Sequence, residues 1–247
     1  MVVGASSGLG RAIAIGLAQR GAHVAMLARR KERLDAAAAE AGPPALAIEC
    51  DVTDETSCRS AIDEAATTLG GIDALLYAPA IGPLARLVDT DAETWARVFA
   101  TNVTGAARIA AAAVPHLTES RGVAAFVSSV SASLTPPWPG LGAYIVSKAA
   151  LDKLVDAWRA EHPTIGFTRL VVGDCAGGEG DSMTEFTQGW DPELATELGT
   201  GWVTSGYISG TLIEVDQLIG VVDAVLRGGA SLSMPYVTVA PRREEQA

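Results

Sequence analysis

The sequence lacks any apolar run long enough to span a bilayer. Its hydrophobic stretches are rich in alanine, and charge interrupts them well before the roughly 20 residues a membrane helix needs. Cysteine is scarce as well. Cys50, Cys58 and Cys175 are odd in number, widely spaced and without a second cluster of Cys or His, which argues against a disulfide framework and a metal site. Basic residues are few: 18 Lys and Arg stand against 29 Asp and Glu, for a formal net charge of −11. With no basic stripe carrying interleaved aromatics, nucleic-acid binding would lack its electrostatic drive, and a small-molecule partner is expected. The chain also runs into a glycine loop at once, without the basic, apolar and small-residue regions of a signal peptide, so a cytoplasmic location is expected. No repeat, charge block or Pro/Ser linker divides the 247 residues, and one domain over 1–247 is expected.

What is present is an alternation of short apolar runs with Ala-rich segments of helical period. Strands are expected at 1–3, 23–28, 45–50, 74–77, 123–129, 165–172 and 236–239, most of them continuously apolar, as buried parallel strands are. Helices are expected at 8–20, 31–41, 55–69, 92–117, 144–161 and 215–227. Right-handed crossovers between such units give an α/β fold: a Rossmann-like, doubly wound domain whose mostly parallel sheet has about seven strands flanked by helices. Two segments resist this scheme, 135–142 and 173–210, and 173–212 is expected to be a substrate-loop region.

Val2-Val3-Gly4-Ala5-Ser6-Ser7-Gly8-Leu9-Gly10-Arg11 sets three glycines between an apolar strand and an amphipathic helix. Such a loop lets a pyrophosphate approach bare backbone N–H groups at a helix N-terminus, so Gly4, Ser6, Ser7, Gly8, Leu9 and Gly10 are candidate cofactor contacts. In units that bind NAD, a carboxylate at the end of the second strand holds the ribose hydroxyls; here that place is Ala28, followed at once by Arg29, Arg30, Lys31 and Arg33. Arg29, beside the strand end, is the favoured partner of a 2′-phosphate, with Arg30 next to it offering a second forked donor, and NADP(H) is the expected cofactor. The alternative is a solvated first helical turn paired with Glu32 and Asp35. Asp51 and Val52 end the third strand where an adenine would lie, although capping of the next turn explains Asp51 equally well.

Tyr144 and Lys148 are four apart and share one helix face. A phenol acts as a proton donor near neutrality when an adjacent cation stabilises its phenolate, which makes the pair a candidate acid/base couple.

The glycine pattern at Gly4, Gly8 and Gly10, joined to the Tyr-xxx-Lys pattern at Tyr144 and Lys148, resembles the short-chain dehydrogenase/reductase family over nearly the whole chain. The resemblance implies that Tyr144 is the catalytic acid/base and that Lys148 binds the nicotinamide ribose while lowering the pKa of Tyr144. It implies that Asn102 holds a water linking Lys148 to solvent; otherwise Asn102 kinks its helix. Ser129, at the end of the fifth strand, would polarise the substrate oxygen. Counting back from Tyr144 gives Ser131 instead, and Ser129 is favoured because strand geometry fixes a side chain better than loop length does. Homodimers or homotetramers are also implied.

The chain is divergent in three places. Tyr77-Ala78-Pro79-Ala80 stands where the family has Asn-Asn-Ala-Gly, leaving Ala78 to border the cofactor; Cys175-Ala176 replaces Pro-Gly; and the first strand is very short. The leading expectation is an NADP(H)-dependent oxidoreductase acting on a carbonyl or alcohol. The alternatives are a catalytically impaired nucleotide-binding regulator or scaffold, and a dehydratase or epimerase of the same family, separable by net consumption of NADPH. Trp138, Leu141, Phe186, Trp190 and Trp202 suggest a hydrophobic substrate pocket or, alternatively, the stabilisation of a long loop.

Overall fold

Short apolar runs pair here into one seven-stranded sheet, whose central strands bury both faces while the edge strands are partly exposed. The computed structural model describes residues 1–176, 185–208 and 210–242. In chain order the elements are β1 (Val2–Val3), α1 (Gly8–Gln19), β2 (Ala25–Ala28), α2 (Lys31–Ala41), β3 (Leu46–Glu49), α3 (Glu55–Leu69) and β4 (Ala74–Tyr77). There follow α4 (Ala92–Phe99), α5 (Gly105–Ser120), β5 (Val123–Ser129), α6 (Gly142–Glu161), β6 (Gly166–Val172), α7 (Pro192–Thr204), α8 (Val215–Leu226) and β7 (Tyr236–Val239). The strand order is β3-β2-β1-β4-β5-β6-β7, and every pairing is parallel.

The chain winds outward from β1 to β3, then returns to add β4 on the other side of β1. This reversal opens a crevice beyond the carboxyl ends of β1 and β4, the place where doubly wound sheets bind ligands. Two cores hold the layers. On one face Tyr77, Phe126 and Phe167 pack with Ile62 of α3, Ile109 of α5 and Leu151 of α6. On the other, Met26 and Leu170 pack with Ile13 of α1, Leu34 of α2 and Leu218 of α8. No helix among the described residues is long and apolar enough to cross a membrane.

Two expectations are corrected. The stretch expected as one α-helix at 92–117 is helical throughout but changes type: it widens into a π turn at Ala100–Thr104 between α4 and α5. Such a turn frees backbone groups that other atoms must satisfy. Tyr77 Oη donates to the Thr101 carbonyl at 2.5 Å, and the buried Asn102 amide reaches out of the turn to the backbone of Ile81. Asn102 therefore sits within the π turn. The second correction concerns 173–210, which contains α7. Asp191 caps that helix by accepting from Leu194 N at 2.8 Å, and Pro192 occupies its first turn, where no N–H is needed. Residues 177–184 and 209 of the expected substrate-loop region lie outside the described residues.

Candidate active site

The glycine loop is built by close approach. Gly4 has φ +83°, and a Cβ on it would stand 2.9 Å from Pro79 N; a Cβ on Gly10 would stand 2.4 Å from the Gly4 carbonyl. β1 and α1 thus pack backbone to backbone, which only glycine permits. Gly8, at φ +54°, has nothing within 4 Å of the place a Cβ would take, so the loop faces open space there. Ser7, the residue preceding α1, makes no side-chain cap bond to it. A helix N-terminus left uncapped by its serine, and a loop with glycine at positions 4, 8 and 10, fit a pyrophosphate.

Arg30 closes one side of this loop. Its Nη2 donates to Ser6 Oγ at 3.0 Å and to Ser7 Oγ at 2.5 Å. Arg29 is exposed and lies in the field of Asp51, whereas Lys31 pairs with Asp35 on its own helix. Asp51 Oδ1 accepts from Thr53 N at 2.8 Å and from Thr53 Oγ1 at 2.7 Å. Burial would raise the Asp51 carboxyl, but the Thr53 hydrogen bonds and the cations Arg29 and Arg108 outweigh it and hold the group below its ordinary range. Asp51 therefore caps its own turn, while the neighbouring Val52 lines the cavity.

The divergent stretch after β4 keeps this geometry. Ala78 N continues the ladder to the Val3 carbonyl at 3.1 Å, and Pro79 covers Gly4. Tyr77, fully buried, ties β4 to the π turn.

α6 carries the acid/base face. Tyr144, Lys148 and Asp152 recur every four residues, which stacks them along one side of the helix. Lys148 is 1% exposed, and its Nζ donates to the Val127 carbonyl at 2.6 Å while standing 5.8 Å from the Tyr144 ring centroid. Burial pulls the Lys148 ammonium down to about 8, against the opposing field of Asp152. Burial pushes the Tyr144 phenol up to about 12, partly offset by a hydrogen bond with Ser129. The phenol therefore stands above its ordinary value rather than below it. Ser129 Oγ and Ser131 Oγ are 2.8 Å apart, because a 3-10 turn at Val130–Ala132 folds the chain back on the end of β5.

Asn102 stands behind these groups. Its Oδ1 accepts from Ile81 N, and its Nδ2 donates to the Ile81 carbonyl and to Ser147 Oγ, each at 2.9 Å. It braces the residue next to Lys148.

The sequence reading missed Asp152 and Arg169. Asp152 is 4% exposed, with Arg169 Nη1 at 3.6 Å from its Oδ2; the Arg169 guanidinium lies 3.9 Å from the Tyr236 ring centroid. Burial raises the Asp152 carboxyl above its ordinary range, opposed by Arg169 and Lys148. An acid on the buried face of α6, four residues beyond Lys148, was the available signal.

A cavity of about 760 Å³ joins these parts, running from the glycine loop past Tyr144 and Lys148 to a set of aromatic rings. Phe186 meets Tyr144 edge-on, with ring centroids 4.8 Å apart, and fills the space above Gly82. Trp190 donates to the Gly82 carbonyl at 2.8 Å and Trp202 to that of Pro139 at 3.0 Å. Trp138 and the buried Leu141 complete the cluster, so the five expected residues do converge. Cys175, in place of the proline, bridges to Ile213 through the backbone, and its Sγ reaches the Ile213 carbonyl at 3.3 Å. Burial, with Glu214 nearby, pushes this thiol up to about 11, so it packs as a neutral group.

Comparison with known proteins agrees with this layout. The family model described as short chain dehydrogenase matches residues 1–179. A short chain dehydrogenase of Pseudocercospora fijiensis is 36% identical over 168 residues, covering 65% of this chain and 53% of that protein. The 11-beta-hydroxysteroid dehydrogenase 1A of Arabidopsis thaliana is 33% identical over 196 residues, covering 73% and 56% respectively. The chain thus spans about half the length of these two relatives. A dehydrogenase/reductase of Sinorhizobium meliloti with a solved structure superposes with a TM-score of 0.78 at 29% identity, covering 97% of this chain and 92% of that one.

Proposed function

The chain belongs to the short-chain dehydrogenase family, oxidoreductases that use nicotinamide cofactors on small molecules, and from that premise we propose an NADP(H)-dependent enzyme that interconverts a carbonyl and an alcohol. One observation carries this reading: the hydroxyl pair Ser129 and Ser131, the Tyr144 phenol and the buried Lys148 meet in a cavity that runs on to a bare glycine loop closed by Arg30.

When bound, the nicotinamide supplies or takes the hydride. Tyr144 donates the proton to the substrate oxygen in reduction and removes it in oxidation, and Ser129 hydrogen-bonds that oxygen. Lys148 binds the nicotinamide ribose and holds positive charge under the phenol, and Asn102 steadies this stretch of α6 by way of Ser147, whose hydroxyl donates to the Tyr144 carbonyl at 2.6 Å. Gly4, Ser6, Ser7, Gly8, Leu9 and Gly10 hold the pyrophosphate. Val52 and Ala78 border the nucleotide, and Arg30 with Arg29 receives the 2′-phosphate. Residues 173–212 frame the substrate as part of a single domain, and the aromatic end of the cavity takes an apolar substrate. The relative from Arabidopsis thaliana, named for a hydroxysteroid, supports that preference. A homodimer or homotetramer in the cytoplasm completes the proposal.

Titration of the purified protein with NADPH and with NADH, followed by nucleotide fluorescence, tests the reading. Tighter binding of NADPH supports it, and binding of neither nucleotide ends it.

A further inference from the structure

The two ends of the cavity differ in charge. Among the described residues, the cations lining it are Arg29 and Arg30 at the glycine loop and Lys148 beneath Tyr144. Beyond Tyr144 the wall is made of rings and aliphatic side chains, and the one charged side chain among the described lining residues there is Asp174. The indole N–H groups of Trp190 and Trp202 already serve loop carbonyls, so those rings contribute hydrocarbon to the wall.

The sequence extends this contrast to the whole region. Neither 130–147 nor 173–214 contains a Lys, Arg or His, and the second carries Asp174, Asp191, Glu193 and Glu214 among its acids. Arg86, which does not line the cavity, is paired with Glu197 of α7 at 2.5 Å. An anion entering from water would lose its hydration against these walls and find no countercharge, whereas an uncharged apolar group would gain by burial.

We propose that the substrate end of this cavity selects uncharged, apolar carbonyl compounds and their alcohols, and rejects those bearing a carboxylate or phosphate. The selection rests on the oxidoreductase reading for its chemistry, but the binding preference stands by itself and is measurable by itself.

Methyl 4-acetylbenzoate and 4-acetylbenzoate share a ring and a ketone and differ in charge. Quenching of the cavity tryptophans gives the affinity of each, in NADPH-free and NADPH-saturated protein, while NADPH absorbance gives turnover. The ester is expected to bind at least about tenfold more tightly than the acid in both states. Leu212→Arg adds a cation at a cavity-lining position that is 55% exposed, and is expected to narrow that gap by tightening the acid alone. Leu134→Arg, at a position 58% exposed that does not line the cavity, leaves the gap unchanged.

Equal or tighter binding of the acid, binding of neither compound, or equal narrowing in both variants overturns the proposal. Ester bound with no NADPH oxidised upholds the charge selection and counts against the oxidoreductase reading, so the two failures have different signatures.

Discussion

Ser129 Oγ and Ser131 Oγ lie 2.8 Å apart across the turn that ends β5, so the two serines form one hydroxyl pair. Ser129 is the member that acts on the Tyr144 phenol, drawing its pKa down against burial, and Ser131 Oγ is the partner of Ser129. Loss of an oxyanion donor costs about 10²–10³-fold in turnover, and Ser129→Ala is expected to fall in that range. Ser131→Ala, which loosens Ser129 without removing it, is expected to cost about tenfold in kcat. Steady-state kinetics of both variants on one ketone check the order; the reverse order would assign the substrate oxygen to Ser131.

Arg30 contacts both loop serines, whereas Arg29 lies in the field of Asp51. Arg30→Ala is therefore expected to weaken NADPH by about 10–100-fold and NADH little, a loss of about 1.5–3 kcal/mol typical of a charged hydrogen bond. Arg29→Ala is expected to cost less. Fluorescence titration with both nucleotides ranks the two arginines.

The pH profile follows from Lys148. Its ammonium, drawn down to about 8 by burial, is charged below that pH and neutral above it. Reduction is expected to proceed below that limit and to decline as pH rises through about 8. Asp152 favours the charged ammonium, so Asp152→Asn moves the decline to lower pH. Asp156→Asn, one turn further along α6, leaves it in place. Rate profiles of the three proteins provide the check, and an equal shift in both variants would assign Asp152 a structural role alone.

Gly10 admits no side chain, since a Cβ would stand 2.4 Å from the Gly4 carbonyl. Gly10→Ala forces β1 and α1 apart and is expected to cost about 1–3 kcal/mol of stability, as overpacking does. Urea unfolding measures the cost, and loss of nucleotide binding accompanies it.

The sheet was legible because buried parallel strands are largely apolar: β4 and β5 occur where the runs 74–77 and 123–129 predict them, and the partly exposed edge strand β7 occurs at the expected 236–239. The helix at 92–117 was legible, but the π turn inside it was not, because helical period does not register one. That turn depends on Tyr77 and Asn102 meeting the Thr101 and Ile81 backbones, contacts between distant parts of the chain. α7 was missed although Asp191-Pro192 is a helix start, since the surrounding glycines and aromatics read as loop. In the site, sequence spacing was enough to pair Tyr144 with Lys148. Arg30 was legible only as a member of a basic run, because which arginine crosses the loop depends on the direction in which the chain leaves β2. Asp152 and Arg169 meet across α6 and β6, and no local pattern joins them.

The most direct test of hydride transfer assisted by Tyr144 is transfer of deuterium from [4,4-²H₂]NADPH, labelled at both C4 positions, to methyl 4-acetylbenzoate, read by mass spectrometry in the native protein and in Tyr144→Phe. One deuteron appearing on the carbinol carbon with the native protein, with a rate at least about 10²-fold lower in the variant, is the predicted result. Absence of transfer from a native protein that binds both NADPH and the ketone, or an equal rate in the variant, would contradict it.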